Sequence, residues 1–237
     1  MEYKVKGIVL SASDYKEKDI LITLFTIELG KITAVLRGAK QAKAKLKFAG
    51  QPFCFGDWIL VKKGEYFYVT TVDLIDTFYE LTADYDSFLV ASSINEVCIE
   101  TLKPNMINES LFVEYLNALK ALVYEKINYN LVFVKFLLNV LKISGYGLNF
   151  AVCGTCNMSI VGDIILSAIS NEFCCVSCSN NYGLKVDRRE YNALKIISNS
   201  DWKNLATVKV SDELLVVCVN VLKYDLQNVY NHKFRSF

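Results

Sequence analysis

The chain has 237 residues, 53% of them hydrophobic, with only two prolines and eleven glycines, and its 26 Lys and Arg nearly balance its 25 Asp and Glu. That composition supplies apolar area for one large or two modest packed domains and excludes a low-complexity or disordered chain. A net charge of +1 excludes a protein that coats nucleic acid uniformly, so any affinity for a polyanion must come from a local patch.

In chain order, five short β-rich runs come first: "YKVKGIVLS", "ILITLFTI", "KITAVLRG", "FGDWILVKK" and "YFYVTTVDLI". Lys31 to Arg37 alternates Ile32, Ala34 and Leu36 against Thr33 and Val35, and "ELGK" and "KKGEY" put glycine where hairpins need a positive φ. Five strands without long intervening helices predict a small closed antiparallel barrel over residues 1–80, for which the OB-fold is one common solution. Asp14, Glu17 and Asp19 alternate with lysines and are read as a solvated, salt-bridged turn. Between Lys31 and Lys63 stand eight cations (Lys31, Arg37, Lys40, Lys43, Lys45, Lys47, Lys62 and Lys63) against one acid, Asp57, a local excess of seven. Five of them fall in "RGAKQAKAKLK", which is expected to be a basic loop projecting from the barrel. Of the aromatics nearby, Phe48, Phe53, Phe55 and Trp58, most are expected in the barrel core, though each has the ring to stack on a base.

From Tyr85 the period changes to helical, with Leu89, Ile94, Val97 and Leu102 at helix spacing and Pro104 ending the run. "NESLFVEYLNALKALVYE", "NYNLVFVKFLLNVLKISGYG", "RREYNALKIIS" and "SDELLVVCVNVLKYDLQNVY" continue a helical domain over residues 81–237. The fold class is therefore α+β: an N-terminal five-stranded barrel followed by an α-helical domain interrupted by a small cysteine knuckle at about 150–182. The apolar run from Leu131 to Ile143 is broken by Lys135, Asn139 and Lys142, and "MEYKVKGIVLSASDY" has no sustained apolar stretch. No membrane span or secretion signal is predicted, and the expected location is the cytoplasm.

Eight cysteines in an unsecreted chain are expected as free thiols or metal ligands rather than disulfides. Cys153-Gly-Thr-Cys156 and Cys175-Val-Ser-Cys178 are two C-x2-C pairs separated by a loop of zinc-ribbon length. Each pair presents two thiolates to one ion from a tight turn, and two pairs complete a tetrahedral S4 shell. One structural Zn2+ held by Cys153, Cys156, Cys175 and Cys178 is the predicted cofactor, and a closed shell leaves no position for catalysis. The competing reading is a redox pair, which should follow a strand and open a helix. Cys156 instead leads into "NMSIVGDIILSA", which reads as a β-hairpin. Cys174 is able to replace its neighbour Cys175, although C-x2-C spacing favours Cys175. Cys54, Cys98 and Cys218 lie in apolar runs and are read as buried small hydrophobes.

Catalytic machinery is not legible. The only histidine, His232, is read as a solvated residue near the C-terminus, no G-x4-G-K-[ST] loop occurs, and no acidic cluster suits two metals. The protein is expected not to be an enzyme.

The segment "YKEKDILITLFTIELGKITAVLRGAKQAKAKLKFAGQPF" resembles the signature of the bacterial RecO recombination-mediator family. The resemblance rests on Tyr15, Glu17, Asp19, Thr23, Leu24, Phe25, Thr26, Gly30, Lys31, Arg37, Gly38, Ala39, Lys40, Gln51, Pro52 and Phe53, and extends to the paired cysteine knuckles and the closing "NHKFRSF". This chain differs in using lysine at all but one cationic position of the loop and in carrying the Cys174-Cys175 doublet. The resemblance implies an OB-fold, a helical domain, a zinc knuckle and a role in recombinational repair. It further implies binding of single- and double-stranded DNA, annealing of complementary strands, pairing with RecR, and help in loading RecA onto DNA coated by single-strand-binding protein. The acidic, phenylalanine-ended tail of that protein would need an apolar groove rimmed by cations, for which Lys120, Lys135 and Lys142 are available. Arg37, Lys40, Lys43, Lys45 and Lys47 are the expected DNA contacts. Two other function classes compete: a zinc-stabilised adaptor that binds only proteins, and a thiol oxidoreductase.

Overall fold

The computed structural model describes residues 1–41, 46–180 and 182–237. The chain divides into two compact units, residues 1–84 with 95–113, and residues 85–94 with 114–237.

In the first unit β1 (Glu2–Tyr15), β2 (Asp19–Thr26), β3 (Gly30–Leu36), β4 (Phe55–Lys63) and β5 (Tyr66–Asp76) close a barrel in the order β1-β2-β3-β5-β4, with β1 and β4 completing the ring. This is an OB-fold. The expectation of a wholly antiparallel barrel is corrected at one seam. β3 and β5 pair in parallel through Ala34–Phe67 and Val35–Tyr68, because the long connection between β3 and β4 lets the last hairpin re-enter beside β3 in the same sense. Alternation places Val5, Val9, Ile22, Leu24, Ile32, Leu36, Trp58, Leu60, Phe67 and Val69 inside. Trp58 is 1% exposed and its indole N–H donates to the Gly7 carbonyl at 2.9 Å.

The G-K dipeptide after β2 secures the segment that follows the barrel. Gly30 has φ +67°, and a Cβ there would lie 2.2 Å from the Met106 carbonyl oxygen, so only glycine admits this approach. Lys31 Nζ donates to the Ile99 carbonyl, the Asn105 N–H donates to the Lys31 carbonyl at 2.9 Å, and Phe112 meets Phe25 edge-on with centroids 5.1 Å apart. Lys31, counted above in the cationic stretch, is thus committed to an internal bond. Burial pushes its pKa down, against the opposing pull of Glu100 and Cys98.

Helices dominate the rest. α1 (Tyr85–Thr101) and α2 (Glu109–Val123) precede α3 (Tyr129–Ile143), which carries ten buried residues and is the centre of the second unit. The Asn128 side chain caps α3 by accepting from the Leu131 N–H, and Gly145 follows its end with φ +85°. A three-stranded antiparallel sheet, ordered β7-β6-β8, comprises β6 (Ile164–Ser167), β7 (Phe173–Cys175) and β8 (Gly183–Val186). The one-turn α4 (Val176–Ser179) leaves β7 directly. The predicted hairpin is therefore shorter than the sequence suggests, since residues 157–163 are irregular. α5 (Arg188–Asn199) starts at a capping box in which Asp187 and Glu190 satisfy each other's backbone N–H groups, and α6 (Asp212–Tyr230) packs with it against α3.

Two single-residue expectations are corrected here. Lys135 is not available as the rim of a groove, because it is buried with Nζ donating to the carbonyls of Ile197 and Ser198 at 3.4 and 3.2 Å. His232 is half-buried with its ring edge-on to Phe234, 5.0 Å between centroids, rather than solvated. The closing segment is held by its phenylalanines: Phe234 is buried, and Phe237 meets Phe133 at 4.7 Å. None of the helices among the described residues is long and apolar enough to cross a membrane.

Candidate metal centre and nucleic-acid interface

The four sulfurs of Cys153, Cys156, Cys175 and Cys178 all lie within 4.8 Å of one another. Cys175 Sγ is 3.8 Å from Cys153 Sγ and 4.0 Å from Cys156 Sγ. A tetrahedron with Zn–S bonds of about 2.3 Å has sulfurs about 3.8 Å apart, so this cluster fits one such ion, with S4 donors of the kind zinc takes.

Local backbone turns create the convergence. In the first knuckle the Cys153 N–H donates to the Met158 carbonyl and the Asn157 N–H returns to the Cys153 carbonyl, at 2.8 and 2.9 Å. Gly154 sits where a Cβ would lie 2.1 Å from the Glu172 carboxylate, and its N–H donates to the Phe173 carbonyl at 2.9 Å, stitching the first knuckle to β7. Across that contact the Cys175 N–H donates to Cys153 Sγ at 3.5 Å. Beneath lies a ring cluster of Phe150, Phe173 and Tyr191, with the tyrosine hydroxyl donating to the Phe150 carbonyl at 2.8 Å.

Burial works to raise the Cys153 thiol, but N–H groups of Cys156, Cys175 and Thr155 outweigh it and bring the pKa to about 6. The Ser177 hydroxyl and the Cys178 thiol lower Cys175, while Cys178, hydrogen-bonded to the Cys175 and Cys156 sulfurs, rises to about 12. Neighbouring thiolates share protons because they repel one another, and that is the repulsion a divalent cation relieves. Cys174 is separate from the four. Successive residues on β7 face opposite ways, so Cys174 is buried on the other side, 3.4 Å from Thr155 Oγ1 and 3.8 Å from Ser170 Oγ. The second pair does follow a strand and open a helix, the context taken above as a redox signature. Convergence of four sulfurs, rather than local context, is what distinguishes a metal knuckle from a redox pair here. Cys54, Cys98 and Cys218 are buried as expected, and burial raises all three thiols, Cys218 to about 12.

The basic loop leaves the barrel from a braced root. Gly38 N–H donates to Asp19 Oδ1 at 2.8 Å, Lys40 N–H to the Lys18 carbonyl at 3.1 Å, and Ala39 is fully buried. The turn between β1 and β2, solvated and salt-bridged as expected, is also a brace for the loop. Lys40 Nζ pairs with Asp14 Oδ1 at 2.9 Å, leaving its side chain 26% exposed. Arg37 is exposed and lies over the Tyr68 ring, with Cζ 4.3 Å from the centroid. Lys43 and Lys45 fall outside the described residues. The chain returns through Leu46, which packs on the barrel core, and the exposed Lys47, into the 3-10 turn Phe48–Gly50.

Of the four aromatics near the loop, Trp58 and Phe53 are buried, Phe55 packs on Phe112, and only Phe48, 66% exposed, is free to meet a ligand. Sequence reasoning missed three tyrosines. Tyr66 and Tyr68, two apart on β5, share the exterior face while Phe67 points inward, and Tyr15 at the end of β1 tilts against Tyr66 with centroids 6.0 Å apart. The signal was present in "YFYV": the outward positions of a barrel strand are usually polar, and here both are aromatic.

A closed OB barrel with a cationic loop at its rim, followed by helices and a tetrathiolate knuckle, defines a two-part protein, and both parts match known families. Residues 1–78 match the family described as Recombination protein O N terminal, and residues 82–236 match Recombination protein O C terminal. The DNA repair protein RecO of Clostridium perfringens (strain 13 / Type A) is 30% identical over 230 residues, spanning 97% of this chain and 94% of that protein. That of Clostridium novyi (strain NT) is 29% identical over 234 residues, 99% of this chain and 91% of that protein. The chain belongs to the RecO family of DNA repair and recombination proteins.

Proposed function

We propose that this protein is a non-enzymatic recombination mediator. It binds single- and double-stranded DNA, anneals complementary strands and, with RecR, helps RecA load onto single strands coated by single-strand-binding protein. The observation that carries the reading is the placement of the cationic loop, whose described ends, Arg37 to Gln41 and Leu46 to Lys47, spring from the rim of an OB barrel. Residues 1–80 are the DNA-binding domain, and Arg37, Lys43, Lys45 and Lys47 contact phosphates, while Lys40, expected from the sequence to join them, is held by Asp14 at 2.9 Å. Lysine meets phosphate as a point charge, so affinity comes without a base-reading fork and without sequence preference. Annealing follows from the same chemistry, because two polyanions approach only when their repulsion is neutralised.

Residues 81–237 form the helical domain, and Cys153, Cys156, Cys175 and Cys178 hold one structural Zn2+ that fixes the knuckle. A cavity of about 400 Å³ lined by Leu138, Leu148 and Phe150, with Lys142 and Lys195 at its edge, suits an acidic peptide ending in phenylalanine, which supports docking of the single-strand-binding protein tail there. The protein acts in the cytoplasm, at the nucleoid.

A salt titration of single-stranded DNA binding tests the reading. Log affinity should fall linearly with log salt, by about 0.7 per neutralised phosphate. Absence of DNA binding at low salt would overturn it in favour of an adaptor that meets only proteins.

A further inference from the structure

Phosphate neutralisation explains affinity for any nucleic acid but not a preference for unpaired strands, and the exterior of the barrel carries a feature suited to that preference. Tyr66 and Tyr68 face outward from β5, immediately after the β4–β5 turn, and both are half-buried. Tyr15, at the mouth of the β1–β2 turn, extends the row by tilting 53° against Tyr66. At the other end Arg37 lies on Tyr68 at 4.3 Å, and Lys16 lies 5.1 Å from the Tyr15 centroid. Three rings in a row, with a cation at each end, therefore stand half-buried beside the root of the basic loop.

Such a row costs the protein something unless it has a partner. Outward positions of a barrel strand are ordinarily polar, and aromatic rings held half in water leave apolar faces hydrated. Arg37 is braced at its backbone, since the next residue, Gly38, is tied to Asp19 at 2.8 Å, and its guanidinium carbon lies over the Tyr68 ring. A guanidinium with one face on a ring offers its other face to a second planar group while its N–H edge stays free for phosphate. Bases of a single strand have both faces available for this, whereas bases in a duplex are already stacked on their neighbours.

Resting on the DNA-binding reading, we propose that Arg37, Tyr68, Tyr66 and Tyr15 form a stacking platform for unpaired bases, which adds affinity for single strands to the charge that the lysines offer any DNA. The platform places base contacts on the β5 face and the β1–β2 and β4–β5 turns, so a strand crosses the barrel rim there before its phosphates reach the basic loop.

The test compares a short oligothymidylate with an abasic oligonucleotide of equal length, which carries the same phosphates and no bases. The full-length protein should bind the oligothymidylate about five- to a hundredfold more tightly. Tyr68→Leu should lose most of that ratio while keeping the salt slope and duplex affinity, Arg37→Lys should lose most of the ratio whatever its effect on duplex affinity, and Tyr68→Phe should retain the ratio. Arg37→Lys alters only an exposed side chain and preserves charge, so it decides the matter even if Tyr68→Leu is unstable. Equal affinity for the two oligonucleotides in the unmodified protein, or an unchanged ratio in Arg37→Lys, would overturn the platform and leave DNA binding intact. Failure to bind either oligonucleotide would overturn the DNA-binding reading and the platform with it.

Discussion

Asp225 should make the stability of the second unit depend on pH. It sits in α6 with no exposed surface, between the fully buried Leu222 and Leu226, and among the described residues neither carboxyl oxygen has a hydrogen-bond partner. Burial raises its pKa from 3.8 to about 7. The unfolded chain gives up this proton first as pH rises, so between about pH 4 and 7 the folded state holds more protons than the unfolded one. Stability therefore falls through that window, by at most about 1.4 kcal/mol per pH unit, and levels off above pH 7. Integrated from pH 5 to pH 8, the loss is about 2.6 kcal/mol, or about 5–10 °C in melting temperature. Asp225→Asn removes the titration. Its buried amide carries a cost of its own, about 1–3 kcal/mol, but the same one at both pH values. Urea unfolding of the zinc-loaded protein and of the variant at pH 5 and pH 8 isolates the effect, because all other titrating groups are common to both. Wild-type stability should drop between the two pH values by about 2.6 kcal/mol more than that of the variant. Parallel pH dependence in the two proteins would refute the argument and mean that the carboxyl is solvated or partnered in solution.

Serine at Cys153, Cys175 or Cys178 should abolish stoichiometric zinc and expose residues 157–173 to proteolysis, whereas Cys174→Ser should leave zinc content unchanged; metal analysis of the purified variants decides, and the reverse pattern at 174 and 175 would reassign the ligand. Alanine at Lys40, Lys43 and Lys45 together should lower the log–log salt slope for single strands by about 1.4 rather than about 2, because Lys40 is already engaged by Asp14 at 2.9 Å. Lys40→Ala alone should accordingly change DNA affinity little. A slope drop of the full three contacts would show that the Asp14 pair opens on binding. Trp58→Phe leaves the Gly7 carbonyl without its 2.9 Å donor and should destabilise the barrel by about 1–3 kcal/mol. Its DNA affinity, measured on folded protein, should stay unchanged, since a core tryptophan cannot stack on a base.

Five strand periods, the helical second half and the two C-x2-C pairs are all local patterns, and all were legible without coordinates. Alternation at period two and spacing at 3.6 report which face of an element is buried, and tight thiol pairs report a site able to hold a metal, because in each case the physics acts over a few neighbouring residues. Tertiary structure decided everything that depends on which neighbour a residue meets. The parallel β3–β5 seam follows from barrel closure across more than thirty residues. Cys175 is distinguished from Cys174 by which way β7 faces where Cys153 arrives. Lys31, Lys40 and Lys135 look alike in sequence as free cations, yet one bonds the Ile99 carbonyl, one pairs with Asp14, and one is buried under the end of α5. Arg37, just beyond the end of β3, and Tyr68, on β5, meet only because the closed barrel brings those two strands together. Charge and hydropathy are properties of a residue and can be read from the chain. Whether a charge is free to meet a ligand is a property of its surroundings, and those exist only after folding.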